Sequence, residues 1–220
     1  QGNANAQFNL GLMHDIGEGV PENDKTAVKW YTLAAEQRVA NAQYDLGVMY
    51  DEGRGVLQSY KTAVKWYKLA AEQGYVNAQY NLGLMFSKGQ GVPKNDKTAV
   101  KWYLLAANQG DADAQSNLGF MYDKGKGVLQ DDKTAAKWYS RAAKQGNANA
   151  QSNLGVMYAF GTGVLKDYVY AHMWGNIAAT NGNEKGAKLR DIVEKKMTPT
   201  DISASKTLTR ECLRKKYNGC

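Results

Sequence analysis

The sequence repeats itself every 36 residues, and this period constrains the fold more than any other feature. The stretch NAQYDLGVMY at residues 41–50 has near-copies that begin at Asn5, Asn77, Asp113 and Asn149. A Leu-Gly pair, a Met, a Gly-x-Gly-Val turn and a Trp return at the same offset in all five copies. Five similar units predict that one supersecondary motif is stacked repeatedly, because such a unit cannot bury its apolar face alone.

Each unit is predicted to contain two helices. In the first unit Ala6, Leu10 and Met13 are spaced by four and three residues, as on one face of a helix. Gly17 and Gly19 then favour a turn, because glycine tolerates positive φ. The second helix is predicted to bury five residues of the first unit: Ala27, Trp30, Tyr31, Ala34 and Ala35.

Small and polar residues predict how these helices begin, end and approach one another. Gly11 and Ala34 lie on inward faces, where the lack of a large side chain allows close packing. Arg38 stands where the later units have glycine, which predicts a less relaxed turn. The expected N-caps are Asn3, Asp111, Asn147 and Asn183 for first helices, and Asp24, Asp96 and Asp132 for second helices.

The repeat pattern decays near the C-terminal end. Residues 1–182 form five units, and residues 183–220 are predicted to form a degenerate half-repeat followed by a capping helix over about 199–216. Thr198 is the expected N-cap of that last helix, with Pro at its first position. One continuous all-α solenoid domain is therefore predicted.

The segment NAQYNLGLMFSKGQGVPKNDKTAVKWYLLAANQG (residues 77–110) resembles the Sel-1-like repeat family, a branch of the tetratricopeptide superfamily. The resemblance covers residues 2–182 in five units. It implies a right-handed α-solenoid that acts as a scaffold or adaptor and binds other proteins, commonly in bacterial envelope, secretion or signalling settings. A periplasmic or secreted location is favoured, and a cytoplasmic one stays open. Family members stapled by cysteines in each repeat differ from this chain, which has none there.

The first-helix face opposite the Ala-Leu-Met stripe is the candidate binding surface, because in tetratricopeptide-like stacks this face lines the concave groove. Amide side chains offer a donor and an acceptor to the backbone of an extended peptide, and apolar neighbours add affinity. The alternative is that these residues cap helices or pack within the repeats. The candidates are Asn9, Asp45, Asn81, Asn117 and Asn153 in an amide row, Phe8, Tyr44 and Tyr80 in an aromatic row, and Leu12, Leu84 and Phe120 in an apolar row. A second amide row comprises Asn5, Asn41, Asn77, Asp113 and Asn149.

The sequence offers little for catalysis. His14 and His172 are its two histidines, and neither has a metal-ligand spacing. The glycine-rich loops follow helices and lack the Lys-Ser/Thr of a phosphate loop, so they are interpreted as turns. No enzymatic activity, cofactor or metal is predicted.

Charge suggests an alternative partner. The net charge is +7, and residues 183–220 hold ten Lys and Arg against five Asp and Glu. The alternative function is therefore electrostatic binding of an acidic polymer or surface through this basic region. A lysine stripe on the second helices is interpreted as a solvated face. Protein or peptide partners are favoured over nucleic acid, and self-association is predicted for the exposed N-terminal face at Gln1–Met13.

Both cysteines, Cys212 and Cys220, lie in the last nine residues. Their separation allows a disulfide that pins the tail, and the alternative is two free thiols. A disulfide would indicate an oxidising compartment. No stretch is apolar enough over its length to predict a membrane span.

Overall fold

The computed structural model describes residues 2–217 and 219–220, so Gln1 of the predicted self-association face lies outside the described residues. The chain divides into two compact units, Gln1–Gln109 and Gly110–Cys220. All regular structure in the described residues is helical. The helices are α1 (Ala4–Ile16), α2 (Asp24–Glu36), α3 (Ala40–Glu52), α4 (Tyr60–Glu72), α5 (Val76–Lys88), α6 (Asp96–Asn108), α7 (Ala112–Lys124), α8 (Asp132–Ala143), α9 (Ala148–Phe160), α10 (Tyr168–Thr180), α11 (Glu184–Glu194) and α12 (Pro199–Arg214).

The helices stack as the repeat predicts. The first unit contains the pairs α1/α2, α3/α4 and α5/α6, and the second contains α7/α8 and α9/α10. Within each unit the second helix of a pair also packs on the first helix of the next pair, as α2 does on α3 and α8 does on α9. The predicted all-α architecture of stacked helix pairs is therefore confirmed.

Tyrosine, and not tryptophan, fills the centre of each of the first four helix pairs. Tyr67 is 0% exposed, and a methyl group built on Gly47 would lie 2.6 Å from its ring, which confirms the close helix approach predicted for this glycine column. The expectation that the second helices bury their tryptophans is wrong in the first unit, where Trp30, Trp66 and Trp102 are half-buried. Since Trp and Tyr are adjacent in the sequence, only one of them points at the partner helix.

Buried glutamines connect successive repeats. Gln43 is 2% exposed, and its Nε2 donates to the carbonyl oxygen of Ala35 at 3.0 Å, in the preceding repeat. Its Oε1 accepts from Gln73 Nε2 at 2.7 Å, in its own repeat. Gln79 bonds in the same way to Ala71 and Gln109, so these two members of the glutamine column each pair with polar groups in two repeats.

Side-chain caps begin most of the helices. Asn3, Asp111, Asn147 and Asn183 cap first helices as predicted. The caps predicted for the second helices are wrong by one residue. The Thr26 backbone N–H donates to Asn23 Oδ1 at 2.9 Å, so Asp24 is the first helical residue and not the cap. The other two corrections are Asn95 for Asp96 and Asp131 for Asp132.

The turn at Arg38 differs from its counterparts as the sequence predicts. Arg38 has φ of 67°, in the left-handed region that favours glycine. The corresponding Gly74 has φ of 88° without a Cβ to accommodate. The first repeat therefore ends in a strained turn.

The last helix folds back on α10. α11 packs on α9 and α10, while α12 packs on α10, where Met173 and Ile177 are buried. The helix starts with the predicted Thr198 capping box and ends at Arg214, near the predicted end. A disulfide joins Cys212 to Cys220. α12 thus covers the outer face of the last helix pair.

Candidate functional site

The two predicted amide rows lie at different depths. All members of the row that begins at Asn5 are exposed, at the second position of each first helix. In the row that begins at Asn9, only Asn9 is exposed, and the remaining members are half-buried: Asp45, Asn81, Asn117 and Asn153. The first row is therefore the more accessible of the two.

Asn81 has partners inside the fold. Its side-chain amide faces the hydroxyls of Tyr44 and Tyr67, as that of Asn153 faces the Tyr139 hydroxyl, and each amide acts to lower the pKa of those tyrosines against the larger effect of burial. This contact agrees with the alternative that members of the row serve the repeats themselves. The two tyrosines belong to the preceding repeat, Tyr44 on α3 and Tyr67 on α4, and a sequence spacing within one helix does not reveal them.

Asp45 is the one acidic residue in its row. Burial, together with the smaller effect of the nearby Asp15 carboxylate, raises the pKa of the Asp45 carboxyl to about 6. Arg54 does not offset this effect at Asp45, since its guanidinium pairs with Asp15 and, at 2.8 Å, with Asp24. The folded chain thus disfavours the ionised form of Asp45, which lies on the predicted binding face.

The aromatic row serves the core as much as the surface. Phe8 and Tyr44 are half-buried, and their rings pack on Tyr31 and Tyr67 with centroids 5.9 and 5.8 Å apart. Tyr80 packs in the same way on Tyr103, with ring centroids 6.1 Å apart. This row contributes less exposed apolar area than the sequence predicts.

The apolar row is better exposed. Leu12 is 37% and Phe120 38% exposed, while Leu84 is half-buried. Lys126 Nζ lies 5.0 Å from the centroid of the Phe120 ring. Phe120 is therefore an accessible aromatic surface with a cation beside it.

In the second unit several predicted residues meet in one groove of about 300 Å³, here called the amide groove. Three successive first helices contribute to it: α7, α9 and the start of α11. The lining is polar apart from the Phe120 ring. Its residues are Ser116, Asn117, Phe120, Asn149, Ser152, Asn153, Asn183 and Lys185.

Hydrogen bonds between repeats fix the rim of the amide groove. Asn183 Nδ2 donates to Asn149 Oδ1 at 2.9 Å, and Asn147 Nδ2 donates to Asp113 Oδ1 at 2.7 Å. The Oδ1 of Asn183 also accepts from the backbone N–H of Gly186, so this side chain caps α11. The Asn149 oxygen is thereby oriented towards its neighbour, which leaves its N–H donors for a ligand.

The amide row that begins at Asn9 is divided between the two units. The first unit contains Asn9, Asp45 and Asn81, on α1, α3 and α5, and the second contains Asn117 and Asn153. Sequence reasoning places Ser116 and Ser152 on this face, as the continuation of the aromatic row, but misses Lys185 as a lining residue. Ser116 and Ser152 occupy the column of the aromatic row, and this replacement of a ring by a hydroxyl is the sequence signal that marks the groove.

Comparison with known families decides what these repeats are. The family model of the Sel1 repeat matches residues 4–39, 40–75, 76–111, 112–147 and 148–183. The chain belongs to the Sel1 repeat family. Each matched repeat begins at the first residue of a first helix.

Solved structures share the fold. A Sel1 repeat protein from Oxalobacter formigenes is 39% identical, with a TM-score of 0.82 over 86% of this chain and 78% of that chain. A Sel1 repeat protein from Klebsiella pneumoniae, at 21% identity, has a TM-score of 0.53 over 88% of this chain and 94% of that chain. A protective antigen of uropathogenic Escherichia coli is 30% identical, with a TM-score of 0.45 over 99% of this chain and 63% of that chain. No curated protein matches the chain.

Sel1 repeat proteins are in general non-catalytic solenoid scaffolds that bind other proteins. In the described part of the chain, no helix is long and apolar enough to cross a membrane, and no cluster of His, Cys, Asp and Glu has the arrangement of a metal site.

His172 Nδ1 is hydrogen-bonded to Ser205 Oγ, and both residues are 0% exposed. This pair therefore packs α12 onto α10, where no substrate reaches it.

Proposed function

We propose that this Sel1 repeat protein is a non-catalytic scaffold that holds an extended segment of a partner protein in the amide groove. The observation that supports the proposal is the lining of that groove, in which three successive first helices present amides and hydroxyls beside the exposed Phe120 ring. An extended peptide has unpaired N–H and C=O groups along its backbone, and side-chain amides pair with both kinds.

Each part of the lining has a role in this proposal. Asn117 and Asn149 contact the backbone of the segment, and Phe120 provides the apolar area for one of its side chains. Lys185, at the α11 end of the groove, favours an acidic side chain or a terminal carboxylate there. The bound segment is therefore mainly polar, with one apolar residue near α7 and one negative group near α11.

The test begins with peptides selected from a random display library on the intact chain. Phe120 and Asn149 are both exposed, so Phe120→Ala/Asn149→Ala is expected to fold normally. This variant is expected to weaken the best selected peptide by about tenfold or more. Leu129→Ala/Leu165→Ala is the matched control, because these loop leucines are 91% exposed and lie outside the groove.

Two results would contradict the proposal: a library that yields no peptide of about 100 μM affinity or better, or equal binding by the groove variant and the parent chain. Salt provides a further check. Binding through amides and Phe120 is expected to change little between about 50 and 200 mM salt, whereas binding of a polyanion falls steeply.

The electrostatic alternative has one specific observation in its favour. Lys206 and Arg210 of α12 face Asn176 and Thr180 of α10 across a cleft of about 410 Å³. This basic cleft offers a place for an acidic group, and a steep salt dependence that Lys206→Ala/Arg210→Ala removes would support it.

Self-association through the N-terminal face remains a prediction. Leu10 is 37% exposed, whereas the corresponding Leu46, Leu82 and Leu118 are 0% exposed. Ile16, on the same helix, is 57% exposed. If α1 pairs with a second copy, Leu10→Gln/Ile16→Gln is expected to lower the sedimentation coefficient of the chain at high concentration. A periplasmic or secreted location is likewise still a prediction.

A further inference from the structure

A second groove lies between α8, α9 and the loop that follows α9, in the same unit as the amide groove but separate from it. It measures about 490 Å³, and we call it the α8 groove. α8, α9 and the loop between α9 and α10 form its walls. It is lined by Lys133, Ala136, Lys137, Ser140, Arg141, Leu154, Tyr158, Gly163 and Val164.

The α8 groove combines an apolar floor with a basic wall. Ala136 and Leu154 are buried at its base, and Tyr158 and Val164 are half-buried beside them. The opposite wall carries the exposed Lys133, Lys137 and Arg141. They follow one another at intervals of four residues along α8, so three cations lie on one face of the helix. Among the described lining residues there is no carboxylate, so the groove is positive as well as apolar.

The repeats themselves show that this combination is specific to α8. The first three second helices have valine at the position of Ala136: Val28, Val64 and Val100. They have leucine at the position of Arg141: Leu33, Leu69 and Leu105. Both departures line the groove. The first removes two methyl groups from its floor, and the second places a guanidinium on its rim.

Arg141 is held in place on that rim. Its guanidinium carbon lies 4.6 Å from the centroid of the Trp138 ring, and Trp138 is 9% exposed. A planar guanidinium stacked on a fixed ring loses less conformational entropy when it binds a carboxylate. The rim therefore has one oriented cation beside two more flexible lysines.

We propose that the α8 groove binds a short acidic peptide segment that carries one large apolar side chain. The apolar side chain enters over Ala136 and Leu154, and flanking carboxylates pair with Arg141, Lys133 and Lys137. The charge complementarity and the apolar floor together favour such a segment over a uniform polyanion, which has no group for the floor. The proposal is independent of the amide groove, because the two surfaces share no lining residue.

The test measures the fluorescence anisotropy of three labelled probes, two nonapeptides and one polymer, as the intact chain is added. The first probe, DEELFEEDE, has an apolar centre, the second replaces its Leu-Phe by Ser-Ser, and the third is polyglutamate of equal charge. We expect the first probe to bind, with an affinity about tenfold or more above that of the other two.

Variants built from the chain's own repeats identify the groove. Ala136→Val/Arg141→Leu restores the residues of the first three repeats, so it is expected to fold, and it should weaken the first probe by about tenfold or more. Lys133→Ala/Lys137→Ala should also weaken it. Lys97→Ala/Lys101→Ala removes the same two lysine columns from α6 and serves as the matched control, with no more than about a twofold effect.

Any of three results would overturn the proposal. The first is no binding of DEELFEEDE at about 1 mM peptide, and the second is unchanged binding by the Ala136→Val/Arg141→Leu variant with a normal circular dichroism melt. The third is equal affinity for polyglutamate together with equal losses in the α6 and α8 lysine variants, which would indicate a general polyanion surface. The Phe120→Ala/Asn149→Ala variant is expected to bind this probe as tightly as the parent chain does. The two proposals can therefore be contradicted independently.

Discussion

Gly83 lies directly beneath the ring of Tyr103: a methyl group built on Gly83 would come within 2.6 Å of the Tyr103 ring carbons. Helix propensity alone predicts that Gly83→Ala stabilises α5 by about 1 kcal/mol. The contact predicts the opposite sign, because the added carbon displaces a fully packed ring, at a cost of about 1–3 kcal/mol or more. Urea denaturation followed by circular dichroism measures the difference. Asn77→Ala, at an exposed position of the same helix, is the control and should change stability by less than about 0.5 kcal/mol.

The buried glutamine column gives a second prediction. Gln43→Leu keeps the size of the side chain but removes two hydrogen bonds, one to the Ala35 carbonyl and one from Gln73 Nε2. The free energy of unfolding is expected to fall by about 1–3 kcal/mol, the net contribution of two such bonds. Gln37→Ala is the matched control, since Gln37 is exposed and makes the same kind of bond to Gln7. Equal effects of the two variants would show that the repeats do not depend on the buried amide.

The turn at Arg38 gives a prediction with a reciprocal control. Arg38→Gly removes the Cβ from a residue with φ of 67° and should stabilise the first unit by about 0.5–1 kcal/mol. Gly74→Arg introduces the same strain one repeat later and should destabilise by a similar amount. Both changes can be measured as shifts in the urea midpoint. If neither variant moves the midpoint, the left-handed turn is not a source of strain.

These features divide into those that a sequence predicts and those that it does not. The helix pairs, the Asn3 cap and the strained Arg38 turn depend on residues close together in the chain, and a 36-residue period reports them directly. Burial of Tyr67 in place of Trp66 depends on how far one helix is rotated against another. A column pattern does not contain that angle, since both residues recur equally well.

The candidate site divides in the same way. Placing Asn117 and Phe120 on one face of a first helix follows from helical periodicity, and the structure brings both into the amide groove. The Tyr67 partner of Asn81 lies on a different helix, so its effect was not predictable from spacing. The lysine stripe alone predicts a solvated face and does not reveal the α8 groove, whose sequence signal is the change from Val and Leu to Ala136 and Arg141.

Asp45 gives a prediction about pH. Its pKa is raised to about 6 in the folded chain, above the ordinary value near 3.9, so folding favours the protonated form. The stability linked to that proton is present at low pH and is lost as the pH rises through about 6. Asp45→Asn, which installs the residue of the four other repeats, is therefore expected to stabilise the first unit by about 1–3 kcal/mol near pH 7.5.

The gain from Asp45→Asn should shrink as the pH falls towards about 4, because the native Asp45 is then protonated as well. Urea titrations at both pH values test this sign. The control is Asp113→Asn, which makes the same replacement at an exposed position of the other amide row and is measured at the same two pH values. A constant gain at both pH values would mean that the charge of Asp45 is not the cause.

The contact between α12 and α10 should weaken in acid, because burial lowers the pKa of His172. Glu194 Oε2, 3.5 Å from His172 Nε2, favours the proton, while the charges of Lys206 and Arg190 oppose it along with burial. The folded chain therefore prefers the neutral ring, and the unfolded chain takes up a proton first as the pH falls below about 6.5. The contribution of the neutral His172 ring to the stability of the second unit is therefore fully present above that pH and is lost as the pH falls below it. Hydrogen exchange of α12 amides should accelerate from about pH 7.5 to about pH 5 after correction for the intrinsic exchange rate.

A double variant separates this effect from other titrations. His172→Val/Ser205→Ala removes the titrating ring and the hydroxyl that would otherwise lose its partner, and valine stands at this position in the first three repeats. Its α12 amides should show a flatter pH dependence than those of the parent chain, even if their protection is lower at every pH. An unchanged slope would exclude His172 as the group responsible. Asp45 does not explain weakening in acid, because it lies in the other unit and acts with the opposite sign over the same pH range.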